Sequence, residues 1–322
     1  MNGADWRPVA TAQVLRRRAT LLEATRAFFR ERGVLEVETP VVLAATATDV
    51  HVESLALAGA PPRYLQTSPE YSMKRLLAAG SGDIYQICHV FRAGESSPQH
   101  NPEFTMVEWY RLGQQLPAIM AETAALAGLL LAAGGRAAVP VESLGYAQAF
   151  ERELGSDPLT TSQDDLAGLA RKHGLAAGSL AAATRDELLD FLVATRVGPA
   201  LGRGRLTCLH RFPASQAALA QIDPADPRTA LRFELYAEGI ELANGYVELA
   251  DASEQRRRFA ADLAERRRRG RTEPAADTRL LAALEHGLPT CAGVALGFDR
   301  VAMLALGAAG IDEVLAFPWE RA

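Results

Sequence analysis

The chain has 322 residues, enough for one large domain or two small ones. Its 48% hydrophobic and 23% charged residues are the balance of an ordinary globular protein rather than of a disordered one. A net charge of −5 argues against a protein that coats nucleic acid by charge alone, and three scattered cysteines (Cys88, Cys208, Cys291) exclude a disulfide framework and a Cys-rich zinc site.

Residues 11–33 predict an amphipathic helix, with Leu15, Leu22, Ala27 and Phe29 near helical spacing and Arg16 to Arg18 and Glu31 on other faces. Gly33 is its stop signal. The following VLEVETPVV predicts a strand broken by Pro40, which suits an edge or an interface. Residues 62–112 read as strands and loops around one short helix, Ser72 to Ala79. Residues 115–135 are Ala/Leu-rich and helical. The segment 140–205 reads as mixed helices, with Asp164, Asp165 and Asp186 near helix starts. Strand character returns over 206–250, and a helix follows from Asp251 to Arg269. Strand, glycine turn and helix occupy 290–307. No apolar run reaches the roughly 18 residues of a membrane helix, and the N-terminus has no signal-peptide core, so a cytoplasmic protein is expected. Strands at both ends around a helical middle predict one α+β domain over residues 1–322, with a mostly helical insertion at about 115–205.

Four segments carry chemistry. In FRAGESSPQHNPEFTMVEWYR, Arg92 offers a planar fork of donors suited to phosphate, and the chain folds back at once through a polar loop. Phe104 would then stack on a base or simply fill core. In GIELANGYVEL, Glu241 and Glu248 are seven apart, which puts them on opposite faces of an unbroken strand. Asn244-Gly245 signals a turn or bulge that would re-phase them to one face, where two carboxylates could hold Mg²⁺. The alternative is two solvated glutamates on a hairpin. In GVALGFDRVAML, Gly293 and Gly297 allow close approach of a ligand, and Asp299 and Arg300 open an apolar helix. In TSPEYSMKRLLAAG, Glu70 sits in a loop that Ser68 and Pro69 shape. With Glu108 and Tyr110 it would form an anionic pocket for amines; the alternative is a first-turn acid facing the helix dipole. The arginines at 256–258, 266–269 and 271 read as a solvated helix face or as a docking patch. His89, His173, His210 and His286 show no metal spacing, and neither a P-loop nor a Rossmann glycine motif is present.

Together these segments resemble the three motifs of class II aminoacyl-tRNA synthetases: Gly33 to Pro40 the first, Phe91 to Glu108 the second, Gly293 to Arg300 the third. TSPE, HNPEFTM and ELANG…EL are most similar to lysyl-tRNA synthetase. Bacterial lysyl-tRNA synthetases carry an N-terminal OB-fold that reads the anticodon, and the first motif here begins too early to leave room for it. The short core, with PASQAALAQ at 213–221, resembles the elongation factor P lysine ligase family.

That resemblance implies an antiparallel sheet flanked by helices. It implies activation of lysine, preferably (R)-β-lysine, by ATP with Mg²⁺, and transfer of the acyl group to a lysine side chain of elongation factor P. It further implies a homodimer through the first motif and no tRNA substrate. By matching position, Arg92 would bridge the α-phosphate and the substrate carboxylate. His100 and Asn101 would line the nucleotide, Phe104 would stack on adenine, Leu242 and Gly297 would give backbone contacts, and Arg300 would hold the γ-phosphate. Glu241 and Glu248 would hold Mg²⁺. Ser68, Pro69, Glu70, Glu108, Tyr110 and Glu248 would form the amino-acid pocket. Two departures stand out. Ala93 and Gly94 replace the usual Asn-Glu after Arg92, so Glu95 or backbone would take over adenine recognition. Ala295 replaces a glycine and bears on which lysine isomer fits. The rival expectations are a lysyl-tRNA synthetase-like enzyme that charges tRNA or a small acceptor, and a non-catalytic lysine-sensing paralogue.

Overall fold

The computed structural model describes residues 6–176, 178 and 183–322. The chain divides into two compact units. The first comprises Met1–Gly113, Leu126–Ala138 and Ala250–Ala322; the second comprises Gln114–Ala125 and Val139–Leu249.

In the first unit the helix Ala12–Glu31 starts where Thr11 accepts a hydrogen bond from the Val14 N–H. It stops where Gly33 turns left-handed at φ +67°. The expected strand after it is split into β1 (Leu35–Glu36) and β2 (Val42–Leu43) on either side of Pro40. Strand β2 joins β3 (Ala56–Leu57) and β4 (Arg63–Leu65) in a small antiparallel sheet. The main sheet of this unit is built on β5 (Ile84–Phe91) and β6 (Glu103–Leu112), paired antiparallel. Strand β1 adds to β5 in parallel on one side. On the other side of β6 lies a strand over Cys291–Gly297, also antiparallel.

Register sorts the side chains of this sheet. Tyr85, Ile87 and His89 share a face with Trp109, Val107 and Thr105. That face takes the N-terminal helix: Phe29 stacks on Tyr85 with ring centroids 4.3 Å apart and meets Trp109 at 5.4 Å. The opposite face carries Gln86 beside Glu108 and Ile84 beside Tyr110. The third strand presents Gly293, Ala295 and Gly297 to that second face, opposite Tyr110, Glu108 and Met106. Its alternate residues Val294 and Leu296 are buried on the other side. Small residues at every second position therefore add little side-chain bulk on the face of Glu108.

The second unit pairs β7 (Val141–Gly145) with β8 (Leu206–His210) in parallel. Antiparallel β9 (Arg232–Ala237) and β10 (Ile240–Val247) follow. With these named, the strand Cys291–Gly297 is β11. Helices Tyr146–Leu154, Gln163–Lys172 and Arg185–Leu192 bury Phe150, Leu166, Leu188 and Leu192 in one core with Tyr236. Ser162 and Thr184 cap the latter two helices, next to Asp164, Asp165 and Asp186 in their first turns. Sequence reading missed β7 because its five residues lie between helical segments.

One expectation needs correction. The helix Leu116–Ala133 is long and apolar enough to cross a membrane by length and composition, with a mean hydropathy of 1.8. Glu122 and Thr123 interrupt the run and hid it in the sequence. Half of it is buried within the protein, and Thr123 satisfies its hydroxyl on the Ile119 carbonyl at 2.7 Å. A core helix passes the same test of length and composition.

Candidate active site

Glu108 is 2% exposed and carries two hydrogen bonds. Tyr110, two residues on and so on the same face of β6, donates its hydroxyl to Oε1 at 2.7 Å. Ser68 donates to Oε2 at 2.7 Å and accepts from the Glu70 N–H at 3.0 Å. The helix that begins there spans Glu70–Ala78, two residues earlier than expected, because Pro69 at φ −77° supplies its N-cap backbone. Glu70 is thus a first-turn residue rather than a loop residue. It also belongs to the pocket: burial, then the neighbouring Glu70 charge, push the Glu108 carboxyl up to about 7. The bonds from Tyr110 and Ser68 and the Lys74 charge pull the other way. Ser68, Pro69, Glu70, Glu108, Tyr110 and Ala295 are therefore brought together.

Arg92 emerges at the end of β5 beside this cluster. Its Nε donates to the Thr67 carbonyl at 3.3 Å, and its guanidinium lies 5.3 Å from the Phe104 ring centroid. Phe104 is half-buried on β6, so it does not act as plain core. Glu95 lies 3.8 Å from Arg92, reached through Gly94 at φ +78°. Within the same loop Ser97 Oγ and His100 Nδ1 are 2.7 Å apart. Arg300, from the first turn of the helix Phe298–Leu306, meets His100 Nε2 and donates to the Gln99 carbonyl at 3.2 Å. Gly297 is the N-cap of that helix. Two arginines, Phe104 and the loop glutamate thus frame one region suited to a polyphosphate and a base. Asn101 is buried: its amide donates to the Glu103 carbonyl at 2.6 Å, and its oxygen accepts from the Trp319 N–H at 2.9 Å. One amide proton of Asn101 is left over by that count.

In the second unit, β10 slips register between Glu241 and Ala243. Re-phasing therefore occurs at Leu242 rather than at Asn244-Gly245, and it returns Glu241 and Glu248 to one face. An oxygen-only pair on one face fits a hard divalent cation. Leu242 is the extra residue, with its side chain buried. Sequence reading missed Arg232, whose Nε donates to Asn244 Oδ1 at 3.1 Å and whose NH1 donates to the Gln216 carbonyl at 2.8 Å. It also ion-pairs with Glu234 at 2.6 Å. Burial and the charge of Glu241 push Glu234 up to about 7. The signal was present in the sequence, as two charges at alternate positions of the apolar run RFELY. Lys74 was missed as well, although Glu70 and Lys74 stand at i and i+4.

The arginine-rich helix Ala252–Arg268 and the residues just past it are matched by carboxylates. Arg257 and Arg258 sit on Glu254, Arg267 on Glu273, Arg268 and Arg269 on Glu265, and Arg256 on Glu285. Arg266 is buried and ties the helix to the carbonyls of Asp49 and Val52. Among the described residues no group of three or more His, Cys, Asp or Glu is placed to hold a metal ion.

This geometry belongs to a known class. The family model of the tRNA synthetases class II (D, K and N) matches residues 2–321, and the chain belongs to that family. Full-length relatives narrow it further. The chain is 49% identical to the elongation factor P--(R)-beta-lysine ligase of Vibrio cholerae, across 100% of both chains. It is 48% identical to that of Klebsiella pneumoniae strain 342, across 99% of both, and to that of Pseudoalteromonas translucida, across 98% of both.

Proposed function

We propose that this protein is an ATP-dependent, AMP-forming ligase. It would activate lysine, preferably (R)-β-lysine, and pass it to a lysine side chain of elongation factor P in the cytoplasm. The observation that carries the reading is Glu108. A carboxylate this deeply buried, held by Ser68 and Tyr110 beside Glu70, is a receptor for an ammonium group. The names of the full-length relatives support the rest.

The amino group of the substrate docks on Glu108 and Glu70, which leaves its carboxylate toward Arg92. That carboxylate attacks the α-phosphorus of ATP in line, an acyl-adenylate forms, and pyrophosphate leaves. Arg92 fixes the attacking carboxylate against the α-phosphate, and Arg300 takes the γ-phosphate. We assign Phe104 to stacking on adenine, and His100, the spare Asn101 proton and the backbone at Leu242 and Gly297 to recognition of the nucleotide. Glu95 replaces the adenine contact that Ala93 and Gly94 lack. Positioning and charge stabilisation carry the step, and no side-chain nucleophile is needed. We assign Glu241 and Glu248 to a Mg²⁺ ion that would neutralise the departing charge when bound, and we assign Glu248 to recognition of the amino acid as well. The neutral amine of the target lysine then attacks the acyl carbon, the C–O bond to AMP breaks, and the nitrogen gives up a proton to solvent as the amide forms and AMP leaves.

We read residues 1–322 as one catalytic domain with the helical insertion at about 115–205. We read exposed Leu35, Val41 and Val42 as part of a homodimer face. The test is mass spectrometry of elongation factor P incubated with the protein, ATP and each lysine isomer. A mass gain of one lysyl group supports the assignment. No gain with any isomer, or charging of tRNA in its place, overturns it.

A further inference from the structure

Lys74 lies on the helix Glu70–Ala78 one turn after Glu70, on the same face. It is only 1% exposed, and its Nζ is 2.6 Å from Glu70 Oε1. Exposed i,i+4 pairs are common and contribute little. This one differs because the ammonium is out of water, where a lysine is kept only against an anion. The first unit brings two carboxylates to the pocket, Glu70 and Glu108, close enough to repel each other. Two like charges in one site compete for a proton unless a cation stands by. Lys74 is that cation.

We propose that Lys74 is the built-in counterion of the amino-acid pocket, a positioning residue that holds Glu70 aimed at the ammonium end of the substrate. The inference rests on the amino-acid site proposed above. Other groups facing the cluster do not replace Lys74. Tyr110 and Ser68 donate from β6 and from the preceding turn. Cys88 on β5 is a thiol whose own ionisation is suppressed by burial, and Gln86 beside it is uncharged. Tyr71, next to Glu70, is kept neutral by burial. Arg92 spends its Nε on the Thr67 carbonyl.

The test compares wild type, Lys74→Met, Lys74→Arg and the double variant Lys74→Met/Glu70→Gln. One readout is ATP–pyrophosphate exchange with each lysine isomer, from about pH 6 to about pH 9. A second is the carboxyl ¹³C titration of Glu108 by NMR, which needs no turnover. Lys74→Met should raise KM for the amino acid roughly 100-fold and leave KM for ATP within about twofold. It should move the Glu108 midpoint and the acid limb of kcat/KM to higher pH. Lys74→Arg should recover most of the loss. The double variant should return the Glu108 midpoint toward wild type. A folded Lys74→Met protein with an unmoved midpoint and an unchanged amino-acid KM overturns the proposal. So does an equal rise in KM for ATP, which marks general damage. If Lys74→Met moves the Glu108 midpoint as expected, yet the wild type activates no diamino acid, the pairing is upheld and the activity assigned above is overturned.

Discussion

Ala295 stands directly opposite Glu108 in the antiparallel register of β11 and β6, so one methyl group flanks the pocket carboxylate. Opposed residues in such a pair hold their Cβ atoms about 5 Å apart. That methyl narrows the space beside the carboxylate while the glycines at 293 and 297 leave the rest open. Ala295→Gly should therefore relax the choice between lysine isomers. One methylene of fit is worth roughly 10-fold or more in selectivity. The ratio of kcat/KM for (R)-β-lysine over L-lysine should fall by about that factor; an unchanged ratio would show that Ala295 does not set the isomer.

Glu108→Gln should separate stability from function. The fold holds the Glu108 carboxyl up at about 7 against an ordinary 4.5, so the native state favours its neutral form. The stability carried by that proton is fully present below about 4.5 and is lost as pH rises through about 7. At pH 8 the wild type thus bears a buried negative charge. Glutamine removes it and should stabilise the protein by about 1–2 kcal/mol at pH 8, with little gain near pH 5. Amino-acid-dependent pyrophosphate exchange should be lost. Urea unfolding at the two pH values checks the sign, and a variant less stable at pH 8 than wild type would contradict it.

Arg92→Lys keeps the charge and removes the fork. A lysine ammonium is a point charge and cannot bridge two oxygens in one plane. Exchange should fall by roughly 100-fold or more, the loss typical for one charge-stabilising donor. Binding of the amino acid alone, read by calorimetry, should weaken far less. Near-normal exchange in the lysine variant would remove Arg92 from the reaction.

The parts legible in the sequence are those written in local pattern. The N-terminal helix, its stop at Gly33 and the break at Pro40 follow from spacing and backbone restriction. The grouping of Ser68, Glu70, Glu108 and Tyr110 was legible because alternation on a strand and a fixed turn place them. The Glu241–Glu248 phase was foreseen, but its bulge was assigned to Asn244-Gly245. The chain slips at Leu242, a residue with no turn preference of its own, so tertiary pairing with β9 decides it. Arg232 and Lys74 were not seen because a buried charge looks like a surface charge until its partners are placed. Asn101 was read for a ligand, yet much of its amide holds Trp319 and Glu103, a link that spans 218 positions and leaves no trace in local sequence.

Asp299 and Arg300 are neighbours that turn to opposite sides of the same helix start, and their variants should fail in opposite ways. Asp299 is 1% exposed, pairs with Arg18 of the N-terminal helix and accepts the Thr105 N–H at 2.8 Å. It fastens helix Phe298–Leu306 to β6 and to helix Ala12–Glu31. Removing one partner of a buried pair costs about 3–5 kcal/mol, so Asp299→Ala should lower the unfolding midpoint markedly. Arg300 instead spends its guanidinium on the loop at Gln99 and His100, where a terminal phosphate can replace those contacts. Arg300→Ala should leave stability within about 0.5 kcal/mol and raise KM for ATP at least roughly 10-fold, with KM for the amino acid little changed. Thermal unfolding and exchange kinetics on the two variants decide it. If Arg300→Ala were the unstable protein and Asp299→Ala the one with weak ATP use, the division of labour at this helix would be reversed.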